Sequence, residues 1–413
     1  MRRTSVSSSL RVAGLFAGIG GIELGFHRAL GDDLDTVLLC ESWRPAQDVL
    51  TKRFPDVELH PDVQTFTDLP EGLDVLTAGF PCTDLSQAGR TAGIAGAASG
   101  LVAHVFEALR LAQKRSRLPW LMIENVPNML ALDRGGAMAY LISEIESLGY
   151  RWAYRVVDTR CTGLPQRRRR VILLASRTED PRSVLFADDA GERQPSDYSD
   201  AAYGFYWTEG RGGLGWARDA VPTLKGGSTI GIASPPAIWI QDAEIGRRFV
   251  KPSVEDAEEM QGFPRGWTRP GDTVGRRNGP RWKLVGNAVT ADVSAWVARR
   301  LVSPGEVIDE SRPWDGVGGW PKAASGQDGK ISSWRVSEFP VSLPYRHLLD
   351  VVDASTAEPL SRRAAAGFWN RLQQGNLGRH PGFRENVAAH IHSMDLQETL
   401  FGTDLEQSRV AAG

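Results

Sequence analysis

LRVAGLFAGIGGIELGF, residues 10–26, runs from an apolar stretch through a cluster of glycines into a helical pattern. Leu10 to Phe16 reads as a buried strand. Gly18, Gly20, Gly21 and Gly25 let the backbone turn sharply and come close to a ligand. The next apolar strand, TVLLCE (36–41), ends in Glu41. An acid about 20 residues beyond such a turn is spaced to accept hydrogen bonds from ribose hydroxyls. The strict dinucleotide fingerprint is not met, so the pattern suits any nucleoside cofactor. Taken alone, it also fits a plain strand–helix turn.

Outward from that stretch the alternation continues. GLDVLTAGFPC (72–82) predicts a third strand, LVAHVFEALRLAQ (101–113) a helix and PWLMIENV (119–126) a fourth strand. AMAYLISEIESLGY (137–150) is an amphipathic helix, and WAYRVVDT (152–159) and RRVILLAS (169–176) are two more strands. Strands alternating with helices predict a parallel α/β sheet covered on both faces. The pattern changes over 176–250, which is rich in Gly, Pro, Asp and aromatics. A short helix, VEDAEEM (254–260), and an amphipathic one, ADVSAWVARRL (291–301), follow. Residues 303–330 read as a linker, and the last eighty residues hold helices without evident chemistry.

The composition narrows the function. The 413 residues carry 48 basic and 50 acidic side chains, yet residues 151–300 hold 24 basic against 18 acidic. A basic middle on an acidic chain suggests a local anionic partner or merely uneven surface charge. No run of 18 apolar residues exists, so no membrane span is expected. Cys40, Cys82 and Cys161 are far apart and odd in number, which argues against a disulfide framework and for a reducing, cytoplasmic setting.

Five constellations could carry chemistry. The first is FAGIGG with Glu41. In GFPCTDLSQAG (79–89), Cys82 sits in a strand-end turn, where a cysteine can be a nucleophile or simply a small buried side chain. In ENV (124–126), Glu124 could be an acid or a hydrogen-bond partner for a ring nitrogen, or could cap a turn. PQRRRRV (165–171) enters a strand, which puts Arg168 and Arg170 on one face and Arg167 and Arg169 on the other. KLVGNAV (283–289) reads as a Gly-Asn turn entering a helix, whose N-terminus could offer free N–H groups to a carboxylate or phosphate or could be an ordinary helix cap. Neither composition nor pattern suggests a metal site.

In their order, FAGIGG, GFPC, ENV, PQRRRR, GFP and GNAV make the chain resemble the C5-cytosine DNA methyltransferase family over about residues 11–302. The resemblance implies a Rossmann-like S-adenosylmethionine-dependent methyltransferase domain at 10–176 and 284–302. It implies a small target-recognition domain at 177–283, with 303–413 left as a linker and C-terminal extension. Phe16, Gly18, Ile19, Gly21, Glu41, Asp62, Pro81, Leu101, Asn287 and Val289 would bind S-adenosyl-L-methionine. Cys82 would be the nucleophile, Glu124 would hold the cytosine ring nitrogen, and Asn125 would brace the Pro-Cys loop. Arg168 and Arg170 match the arginines of a Gln-x-Arg-x-Arg motif and would join the catalytic set. Gln166, Thr223, Arg265, Arg269, Arg276 and Arg277 would face duplex DNA. The implied partners are duplex DNA and a cognate restriction endonuclease, with a monomer as the family default.

Two residues depart from the family pattern. Thr83 stands where Gln is frequent, and Trp43 lies one place beyond the usual adenine-stacking aromatic. A catalytically silent relative, an RNA cytosine methyltransferase and a nucleotide-dependent oxidoreductase are the competing readings.

Overall fold

The computed structural model describes residues 9–66, 68–81, 100–209, 212–226, 234–272 and 279–395. The first half of the chain forms the middle and one wing of a ten-stranded sheet. Strand β1 (Leu10–Leu15) leads into α1 (Gly21–Leu30), then β2 (Leu34–Cys40), α2 (Arg44–Arg53) and β3 (Glu58–His60). Next come β4 (Val75–Ala78), α3 (Leu101–Gln113), β5 (Trp120–Asn125), α4 (Gly136–Ser147) and β6 (Arg151–Asp158). A two-residue β7 (Gln166–Arg167) precedes β8 (Arg169–Ser176). Strands β3, β2, β1, β4 and β5 are parallel neighbours in that order. Strand β8 then runs antiparallel to both β5 and β6. The sheet is therefore mixed where the sequence predicts a parallel one. The turn from β6 to β8 is too short for a crossover helix, so the strand must reverse.

Both faces are covered. Val105, Phe106 and Leu109 of α3 and Leu141, Ile142 and Ile145 of α4 pack on one face. Ile22 and Phe26 of α1 pack on the other, with Val293, Trp296 and Val297 of α8 (Ala291–Val302). The first turn of α1 needs its glycines. Gly20 adopts φ 79°, and a Cβ there would stand 2.3 Å from the Phe54 ring.

A smaller sheet holds β9 (Ala202–Phe205), β10 (Ala217–Arg218), β12 (Ala237–Ile240) and β13 (Phe249–Lys251). Strand β11 (Val221–Pro222) leaves it to pair with β7. Tyr203 and Phe205 belong to its aromatic core, with Trp216 packed against them. The polar tips of the neighbouring aromatics are bound internally. Tyr206 donates its hydroxyl to the Thr223 carbonyl at 2.7 Å, and Trp207 donates its indole N–H to Pro235 at 2.9 Å.

Residues beyond 303 are woven into both sheets. Strands β14 (Ser311–Pro313), β15 (Ala323–Gln327) and β16 (Lys330–Trp334) extend the large sheet beyond β6. Strand β17 (Glu358–Pro359) closes the edge of the small sheet against β13. Helix α10 (Arg362–Gln374) and helical turns at 383–395 then cover one face of that sheet with Phe368, Leu372, Phe383 and Val387. Placing these residues in an extension beside the core therefore misses how they pack. Their apolar positions look unremarkable alone because their partners lie far away in sequence. The boundary at 177 also differs, since Val184, Leu185 and Phe186 pack into the core of the large sheet.

Candidate active site

The parallel strands end along one edge, and the side chains just past those ends converge. Phe16 follows β1, Glu41 follows β2, Phe80 and Pro81 follow β4, and Glu124 and Asn125 close β5. They line a cleft of about 420 Å³ together with Gly18, Ile19, Trp43, Leu101, Arg168 and Arg170. The opposite wall is α7 (Arg281–Asn287), which contributes Lys283, Leu284, Gly286 and Asn287, with Ala288 beyond it; Gly286 and Asn287 thus end a helix, where the sequence reads as a turn entering one. A cleft of this size, with apolar walls and a few converging polar groups, suits a nucleoside-sized ligand.

At one end of the cleft, Glu41 accepts the Gly18 amide at 2.9 Å and the Trp43 amide at 2.8 Å, one on each oxygen. Burial holds its pKa above the ordinary carboxyl value, with those amide hydrogen bonds opposing the rise. Each oxygen has a lone pair to spare for a hydroxyl in the cleft. This donor and acceptor arrangement fits the ribose of S-adenosylmethionine. The Lys283 ammonium lies 4.8 Å from the centre of the Trp43 ring. Lys283 and Asn287 stand one helical turn apart on α7, and both line the cleft. Lys283 carries no role in the sequence analysis, although its i, i+4 spacing from the asparagine of GNAV is a signal that could have placed it here.

At the other end, Arg170 forms an ion pair with Glu124 at 2.9 Å, with both side chains largely buried. The Asn125 amide donates to the Phe80 carbonyl at 3.0 Å and accepts the Val126 N–H at 2.9 Å. It thereby fixes the backbone one residue before Pro81. Cys82 and Thr83 lie outside the described residues. The other two cysteines are buried, and burial pushes the thiols of Cys40 and Cys161 up to about 12, away from the thiolate form a nucleophile needs.

The remaining candidates divide. Gly21 and Val289 do not line the cleft but face each other, and a Cβ on Gly21 would stand 2.3 Å from the Val289 carbonyl. Asp62 is also off the cleft wall, and its carboxylate caps the turn at Gln64 at 2.9 Å. Gln166 is fully buried, so this structure does not present it to a duplex. Thr223 donates its hydroxyl to the Arg167 carbonyl at 2.9 Å. Arg265 is engaged by Asp256 at 2.8 Å and Glu259 at 2.9 Å, whereas Arg269 is largely exposed. Arg276 and Arg277 lie outside the described residues.

The arginine run sorts by face as the alternation predicts. Arg169 turns away from the cleft to Glu338 at 2.6 Å. Arg168 is fully buried, and desolvation and Arg170 push its guanidinium well below the ordinary range. The sequence also gave no role to Trp267, whose indole N–H donates to the Ile19 carbonyl at 2.9 Å and so braces the glycine turn from behind. Among the described residues, no group of three metal-ligating side chains occurs, and no helix is long and apolar enough to cross a membrane.

Known proteins carry the same pattern. The family model for C-5 cytosine-specific DNA methylase matches residues 10–201. Type II methyltransferase M2.BsuMI of Bacillus subtilis (strain 168) is 45% identical over 377 residues, which cover 88% of this chain and 93% of that protein. Type II methyltransferase M.MspI of a Moraxella species is 26% identical over 329 residues, 76% of this chain and 75% of its own. Among solved structures, S. pombe Dnmt2 methyltransferase superposes with a TM-score of 0.50 at 15% identity, covering 71% of this chain and 98% of its own. At that identity the likeness concerns the fold alone.

Proposed function

The chain belongs to the C-5 cytosine-specific DNA methylase family, and from that premise we propose how its own residues divide the reaction. It is an S-adenosylmethionine-dependent DNA cytosine-5 methyltransferase. The observation that carries the assignment of roles is the Glu124–Arg170 ion pair, set in the same cleft as Glu41 and Pro81.

C5 of cytosine is a weak nucleophile inside a base stack, so the base must first leave the duplex. Cys82 then adds to C6 through its thiolate, forming an S–C bond. Glu124 supplies a hydrogen bond or proton at N3, and Arg170 stabilises the charge developing on O2. S-adenosylmethionine, when bound, would supply an electrophilic methyl group for C5, its S–CH3 bond breaking to leave the neutral thioether S-adenosylhomocysteine. Loss of the C5 proton to a base and departure of the Cys82 thiolate restore the aromatic ring. Glu41, Phe16, Trp43 and Asn287 hold the cofactor, with Lys283 above the Trp43 ring. The small sheet reads the target, and exposed Arg269 contributes a phosphate contact. The Type II methyltransferase names of M2.BsuMI and M.MspI support placing this chain as the modifying half of a restriction pair.

The test incubates the full chain and Cys82→Ala with duplex DNA and S-adenosylmethionine, followed by nucleoside mass spectrometry. 5-Methylcytosine formed only by the unaltered chain is the expected result, and bisulfite sequencing then gives the target. Methyl transfer to RNA alone, or by Cys82→Ala equally, would overturn the assignment.

A further inference from the structure

Arg168 stands in the motif that supplies Arg170 to the cytosine, yet its bonds run elsewhere. Its guanidinium donates to the carbonyls of Leu224 at 3.3 Å, Gly286 at 3.2 Å and Ala288 at 2.6 Å. Leu224 follows β11 in the recognition segment, and Gly286 and Ala288 belong to the wall of the cleft. Gln166, two residues earlier, makes the complementary set. Its carbonyl accepts the Leu224 N–H at 3.0 Å, and its amide donates to Met260 at 3.1 Å and Gln261 at 3.0 Å. Gln261 in turn donates to Val285 at 3.0 Å and accepts from Thr290 at 2.9 Å.

These bonds hold two backbones at van der Waals contact. A Cβ on Gly286 would stand 2.4 Å from the Gly226 nitrogen, and one on Gly226 would stand 2.8 Å from Asn287 Oδ1. Asn287 lines the cleft. Buried polar networks of this kind specify one arrangement because each unmet member is costly.

We propose that Gln166 and Arg168 are positioning residues, a buried bracket that seats recognition residues 224–226 on the cofactor wall 285–288. The wall of the methyl-donor site then takes its final shape only with the recognition segment in place. This rests on the methyltransferase reading above. Three of the five guanidinium N–H groups of Arg168 go to the carbonyls of Leu224, Gly286 and Ala288, and Nε–H has no partner in the structure.

Calorimetric titration with S-adenosylhomocysteine, without DNA, separates the two roles. Arg168→Lys, Gln166→Ala and Gly226→Ala are each expected to weaken that binding about tenfold or more. Their turnover at saturating S-adenosylmethionine is expected to fall far less than their apparent affinity for it. Glu124→Gln is the opposite control, with turnover lost and binding kept. The double variant Arg168→Lys/Gly226→Ala is expected to be no worse than the weaker-binding single variant, since both break one contact. Variants that bind like the unaltered chain but lose turnover would overturn the bracket in favour of substrate contact. Lowered thermal stability with unchanged binding would overturn it too. If Arg168→Lys does not fold, Gly226→Ala carries the same two outcomes. Failure of the unaltered chain to bind S-adenosylhomocysteine would instead strike the methyltransferase reading itself.

Discussion

In the parallel wing of the large sheet, the strands that place Phe16, Glu41, Pro81 and Glu124 come from one continuous stretch between residues 10 and 125. In the small sheet, β13 at 249–251 pairs with β17 at 358–359, and Phe205 packs against Phe368 and Phe383. The first region is assembled from neighbours, so each functional side chain sits inside a local turn. The second is assembled from two distant pieces, and its stability depends on both being present. The strand-end half of the reaction site can thus be built locally, whereas Arg170 and the α7 wall come from later stretches and the unit beside them depends on the far end of the chain.

The sharpest way to break this contrast is Phe368→Ala. Phe368 is fully buried under the small sheet, and its loss should cost about 3–5 kcal/mol. Calorimetry should then split into an early transition for the small unit and a later one for the large sheet. A single transition at the original temperature would sink the idea that the two regions differ in this way.

A comparable effect is expected within the large sheet at Glu23, with a pH signature. Burial of Glu23 on α1, against Thr77 at 3.4 Å, raises its pKa to about 7 from the ordinary carboxyl range. The folded state therefore binds this proton more tightly than the unfolded chain. Its contribution is full below the ordinary carboxyl value, falls as pH rises towards about 7, and then stays lost. The total is on the order of 3 kcal/mol. Denaturant unfolding at about pH 5 and about pH 8 should show this decline in the unaltered chain and not in Glu23→Gln. Parallel pH slopes for the two proteins would refute it.

Asn125→Ala should have a smaller global effect, about 1–3 kcal/mol for the Phe80 carbonyl left unmet. Because that carbonyl precedes Pro81, turnover should fall more than stability does, and initial rates beside melting curves would show it. Undiminished turnover would mean that Asn125 does not brace the loop. Smallest of all is Lys251→Ala, which removes an exposed pair with Glu358 between β13 and β17 and should change stability by about 0.5 kcal/mol or less. A larger loss would mean that charge, not the apolar cover, joins the distant pieces.

The same contrast explains what the sequence revealed. Strand-end motifs such as FAGIGG and ENV announce themselves because the turn, the glycine and the functional side chain are adjacent. The alternation in QRRRR correctly divided its faces, but not the tasks on one face, because the carbonyls that Arg168 meets come from residues 224, 286 and 288. Gln166 was invisible as a buried group for the same reason. The antiparallel β8 was missed because a hydrophobic run does not state its direction. Residues 311–334 gave no signal as sheet strands because only their register against Tyr154 and its neighbours makes them so.

The split origin of the small unit also limits how such a protein can change by recombination. A crossover pair that exchanged residues 177–283 between two relatives would deliver four of its strands without β17, α10, Phe368 or Phe383. The recipient's own helices would have to fit a foreign aromatic face. Inheritance of this unit is therefore a two-locus affair within one gene, and mosaic descendants should carry matched segments from both sides of α8.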